Sequence, residues 1–150
     1  MSSMLGLCKQ ASANSNIFFM AYSMIKALDF IVLILYFLLM YWLSVQSSMP
    51  APMWFDFQDK LYHVGAYFVM ALLVWRALRG LFGSPIIVVF LSIVFCGLFG
   101  ILEEWHQTSI VGRNADIFDW LADLFGSVSA MLFLYVLKKR AEKKGGRLIF

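Results

Sequence analysis

Four long apolar runs, each bounded by polar or basic residues, take up most of this 150-residue chain. A helix that crosses a bilayer needs about 20 mostly apolar residues, because a rise of about 1.5 Å per residue must span roughly 30 Å of hydrocarbon. The runs predict spanning helices over residues 27–45, 59–78, 85–104 and 117–137. The first run is apolar from Ile17 onward, so it is either a long tilted helix or a span preceded by an interfacial turn. Pro85 suits the first turn of the third helix, where its missing N–H costs nothing. Composition excludes the soluble alternative: the chain is 62% hydrophobic and 14% charged, against about 25% charged in an ordinary soluble domain. The predicted fold class is all-α, a polytopic membrane protein forming a four-transmembrane-helix bundle with both termini cytoplasmic. Its parts are an N-terminal tail or interfacial segment (1–24), a membrane domain (25–137) and a basic cytoplasmic tail (138–150).

Basic residues set the orientation, because Lys and Arg near spans are retained on the cytoplasmic side. Lys9 and Lys26 precede the first span, and Arg76 and Arg79 follow the second. Lys138, Lys139, Arg140, Lys143, Lys144 and Arg147 follow the fourth. The other two connections hold only Lys60 and Arg113, so they should face outward. Trp42, Trp54, Trp105 and Trp120 then fall near the outer interface, where an amphipathic ring is favoured. Cys8 and Cys96 should lie at different depths, so no disulfide is expected. No Cys/His spacing resembles a zinc site, and the first span is too long for a cleavable signal peptide. The basic tail is a topogenic anchor that meets anionic headgroups; nothing else supports nucleic-acid binding. Lys26 and Asp29, three apart, can pair.

Three polar stretches break the pattern of an inert bundle. Asp59, His63 and Tyr67 recur every fourth residue and share one face of the second helix, with Lys60 beside them. Glu103, Glu104, His106 and Gln107 close the third span; Glu103 reads as the solvated neighbour of Glu104, and His106 as a loop residue. Asp116, Asp119, Asp123 and Gly126 share a face of the fourth helix, behind Arg113. Asp116 also has the position of an N-cap. The topology brings all three stretches to the same outer depth. A charge well inside the bilayer costs about 2.5–3.5 kcal/mol, so Asp123 should face the bundle interior. Arg113, Lys60 and His63 are the cations available to hold the carboxylates apart. Ala122, Gly126 and Ala130 form a small-residue stripe suited to close helix packing, as do Gly97 and Gly100.

At these residues the chain resembles the VanZ-like family. That family's pattern looks like Asp-Lys-x-x-His, then Glu-x-x-Gln, an Arg, and an Asp followed by Asn and Gly. Asp59, Lys60, His63, Glu104, Gln107, Arg113, Asp119 and Gly126 match it in order, over roughly 59–130. Asp123 stands where the pattern has Asn, which adds a potential charge. The resemblance implies a bacterial cytoplasmic (inner) membrane protein of the cell envelope, in a family whose founding member is associated with teicoplanin resistance. It implies no defined reaction.

The expected function is binding at an outer polar pocket formed by Asp59, Lys60, His63, Glu104, Gln107, Arg113, Asp119 and Asp123. The partners would be membrane lipids, with an anionic lipid-linked envelope precursor or another membrane protein as specific candidates. Lys60 and Arg113 would meet the anionic group, and no cofactor or resident metal is expected. One alternative is a membrane hydrolase or transferase using His63 or Asp119 as base and Arg113 to stabilise negative charge. Another is a small transporter or proton-coupled channel working through the carboxylate stripe.

Overall fold

The computed structural model describes residues 2–46, 54–110 and 115–145, with side chains of the first helix from Ser15 onward. Its helices are α1 (Ser2–Ser44), α2 (Gln58–Leu78), α3 (Pro85–Gln107) and α4 (Ile117–Lys143). All four are long and apolar enough to cross a membrane, and α1 contributes Ser15–Ser44 to that count. Three boundaries differ from expectation. α1 is continuous, with no interfacial turn, because no proline interrupts residues 2–44. α3 continues to Gln107, which places His106 on the helix, against the Tyr41 ring at a centroid distance of 5.3 Å. α4 continues six residues past Leu137, since the Lys- and Arg-rich segment favours helix and suits a helix C-terminus.

The chain runs up and down, so one end of the bundle gathers the start of α2, the end of α3 and the start of α4. The other end holds the α2–α3 turn and the basic end of α4. At that basic end, Lys26 of α1 donates to the carbonyls of Arg76 at 2.9 Å, Ala77 at 3.3 Å and Arg79. A cation is favourable there because the last carbonyls of a helix lack intrahelical donors. Buried Asp29 accepts from Arg76 Nε at 2.6 Å, whereas Lys26 stays 3.9 Å from it. The Lys26–Asp29 pair is therefore loose, and both residues tie α1 to α2 instead. Gly80 turns the chain at φ +85°, in the left-handed region that disfavours a side chain.

The buried core joins Tyr67, Met70, Ala71 and Val74 of α2 to Val88, Cys96 and Phe99 of α3 and to Ala130 and Met131 of α4. α1 lies at the periphery. Its Phe37 ring packs 4.2 Å from that of Phe99, and its Tyr36 hydroxyl donates to the Ala66 carbonyl at 2.9 Å. The remaining face of α1 exposes large apolar side chains, as a lipid-facing helix would. The closest approach is between α2 and α4: a Cβ on Gly126 would overlap the Val64 carbonyl. Gly126 and fully buried Ala130 thus do what a small-residue stripe does, while Ala122 is half-buried.

Candidate functional site

The start of α2 places Asp59, Lys60 and His63 beside the start of α4, which carries Asp119 and Asp123 behind Asp116. Lys60 Nζ lies 2.8 Å from Asp116 Oδ2, 2.7 Å from Asp119 Oδ1 and 3.2 Å from Asp59 Oδ2. One ammonium has three N–H donors, and here each finds a carboxylate. This is the physical reason two like-charged helix starts can lie side by side. Asp116 also accepts from the Phe118 N–H at 2.9 Å, which makes it the N-cap of α4 as its position indicates. Its hydrogen bond to Lys60, and then that to Phe118, holds the Asp116 carboxyl below the usual aspartate range.

One turn deeper, His63 Nδ1 lies 2.8 Å from Asp123 Oδ1, while His63 Nε2 stands 4.0 Å from Asp119 Oδ2. Asp123 is 1% exposed, so it faces the bundle interior as its depth requires. Its second oxygen lies in the α3–α4 interface, where a Cβ on Gly100 would come within 2.7 Å of it. Glu103 is a correction: at 5% exposure it is buried, not solvated. Its Oε2 accepts from the Tyr67 hydroxyl at 2.7 Å. Glu103 points inward because it falls on the same helix face as buried Cys96, Phe99, Gly100 and Gln107.

Glu104 bridges α3 to the start of α4, its Oε2 accepting from the Asp116 backbone N–H at 2.7 Å. Gln107, one turn on, is buried at the same end. Trp120 is more than an interfacial marker, since its Nε1 donates to the Gly97 carbonyl at 3.0 Å and clamps α4 to α3. Trp42, Trp54 and Trp105 are well exposed, as rings at a headgroup layer would be. Between α3 and α4 at this end lies an open, shallow cavity of about 440 Å³, lined by Ile101, Glu104, Ala115, Asp116, Ile117 and Trp120.

The structure thus brings together Asp59, Lys60, His63, Asp119 and Asp123, with Glu104 joined to them through Asp116. Arg113 lies outside the described residues. Glu103, Trp120 and the wall residues Ile101, Ala115 and Ile117 were missed as functional candidates in the sequence; the signal for Glu103 was its place four residues before Gln107, on the same helix face. Among the described residues, no three His, Cys, Asp or Glu side chains are placed to ligate a metal ion. The arrangement can hold charge in a low-dielectric setting, orient an imidazole and accept hydrogen bonds. No family model, curated protein or solved structure matches this chain.

Proposed function

We propose that this chain is a VanZ-like protein of the bacterial cytoplasmic membrane, which binds a lipid headgroup at the extracytoplasmic ends of α3 and α4. The observation that carries this reading is the cavity between those helices, where buried Glu104 and capping Asp116 share walls with Ile101, Ile117 and Trp120. A lipid presents that combination: a polar head joined to apolar chains. Pockets of roughly 300–1,000 Å³ are usual for small ligands. The basic last turns of α2 and α4 support a cytoplasmic position for the end of the bundle opposite the cavity, by the positive-inside rule. A role in envelope physiology, including glycopeptide susceptibility, goes with the family resemblance. An Ala115→Trp variant adds bulk at the rim of the cavity and alters none of the ion-paired side chains. Native mass spectrometry of protein extracted in mild detergent should show a retained lipid in the wild type and its loss in the variant. Identical lipid profiles would sink the proposal.

The His63–Asp123 contact favours a second reading, a hydrolase or transferase acting on a lipid-linked envelope substrate. With Nδ1–H donating to Asp123, Nε2 is left to accept a proton from water or a ligand hydroxyl. Turnover of such a substrate that survives in His63→Gln would remove this reading.

A further inference from the structure

We infer that Glu103 is the proton-holding residue of a three-helix latch: in the folded bundle it is a neutral acid, and losing that proton weakens the hold of α3 on α2 and α4. Three helices build the layer it belongs to. His63 and Tyr67 face it from α2, Gly100 and Glu103 from α3, and Asp123 from α4. Asp123 Oδ2 lies against Gly100, one turn along α3 from Glu103, so the two carboxyls occupy neighbouring positions. Neither carboxyl reaches solvent to any extent, Asp123 being 1% and Glu103 5% exposed.

The two carboxyls differ in the partners they have. Asp123 has the His63 imidazole at 2.8 Å, which can carry a compensating positive charge. Glu103 has a neutral donor, the Tyr67 hydroxyl, at 2.7 Å from Oε2, while its Oε1 is buried with no hydrogen-bond partner. Lys60 lies one turn nearer the start of α2, with its three donors on Asp59, Asp116 and Asp119. Among the described residues Glu103 takes part in no ion pair. One imidazolium neutralises only one of two buried carboxylates. For the other, binding a proton costs less than holding a bare charge in a low-dielectric interior. The proton forms an O–H bond at Oε1, the oxygen that Tyr67 leaves free, and its release to water restores the carboxylate. A proton needs no cavity to occupy. The other titratable groups around this layer are Tyr36 of α1, whose hydroxyl is tied to the Ala66 carbonyl, Cys96 and Glu104 of α3, and Asp119 of α4, 4.0 Å from His63 Nε2. None of these four supplies positive charge. A Glu103 carboxylate on α3 would therefore repel Asp119 and Asp123 on α4, across the interface that joins the two helices.

The test is infrared spectroscopy of the full chain in an ester-free detergent, titrated from neutral to alkaline pH, with melting temperature measured on the same samples. At neutral pH the wild type should show the C=O band of a protonated carboxyl. Isotope labelling of glutamate carboxyls should shift that band and labelling of aspartate carboxyls should not, a result that depends on no variant folding. Glu103→Gln keeps an acceptor for the Tyr67 hydroxyl but cannot ionise, so it should abolish the band. As pH rises the wild-type band should fade and the melting temperature fall with it, because the folded state holds a proton that the unfolded state has already released. In Glu103→Gln that fall should be shallower. A neutral-pH wild-type spectrum without the band, a band that shifts with aspartate labelling, or one that survives in Glu103→Gln overturns the proton at Glu103. Equal pH slopes in the wild type and Glu103→Gln overturn the latch.

Discussion

His63 and Asp123 show how a single partner decides the cost of a buried charge. Breaking a buried pair leaves one group without compensation, which typically costs about 3–5 kcal/mol. His63→Leu should therefore destabilise the fold by about 2–4 kcal/mol, somewhat less than that range because the Asp123 carboxyl can take up a proton. His63→Leu combined with Asp123→Leu should be less destabilised than the sum of the single changes, by about 1 kcal/mol or more. Thermal unfolding in detergent reads both, and strict additivity would show that the 2.8 Å contact carries no coupling. Asp116 makes a pH argument of known sign. Its carboxyl is held below the ordinary aspartate range by Lys60 and the Phe118 N–H. A lowered folded-state value means stability present above the unfolded value and lost as pH falls through the folded one. Melting temperature should drop on acidification below the usual aspartate range, and Asp116→Asn should flatten part of that drop. A wild-type profile matched by the variant would mean that Lys60 does not stabilise this end through Asp116.

At the scale of helices, two contacts hold α4 against its neighbours. Gly126 lets the α2 backbone approach so closely that a side chain would overlap the Val64 carbonyl. The obstacle is backbone, which cannot swing aside as a side chain can, so Gly126→Leu should displace α4 from α2. We expect a loss of about 3 kcal/mol or more, in the range of severe overpacking, seen as a lower melting temperature. Trp120 clamps the α3–α4 side. Trp120→Phe keeps an aromatic ring but loses the hydrogen bond to Gly97 and the fused second ring, at a cost of about 1–2 kcal/mol. If Gly126→Leu melts no earlier than Trp120→Phe, the close approach of α2 and α4 is not what secures the bundle.

At the scale of the whole molecule, most carboxylates collect at one end, while Lys26, Arg76, Arg79 and the end of α4 lie at the other with Asp29 and Glu142. A basic end is retained in the cytoplasm, so the two ends should differ in access to a reagent that cannot cross the membrane. In a variant with Cys8 and Cys96 replaced by Ser, a cysteine at Thr108 should label in intact cells. One at Glu142 should label only after lysis. The reverse pattern would invert the topology and place the carboxylate pocket in the cytoplasm.

Four helices long and apolar enough to cross a membrane, and the polar stretches at their ends, were legible in the linear chain because such a helix is written as an unbroken apolar run bounded by polar residues. Helical spacing also shows that Asp116, Asp119 and Asp123 share a face. Spacing within one helix says nothing about distance between helices. Only packing made Lys60 the common partner of three carboxylates, turned Glu103 onto Tyr67, and drew Arg76 to Asp29 in place of Lys26. Only packing opened a cavity against Glu104 and left one of its oxygens bare. Hydrophobicity is a property each residue carries along the chain, whereas a partner and a cavity exist only once helices distant in sequence are placed side by side.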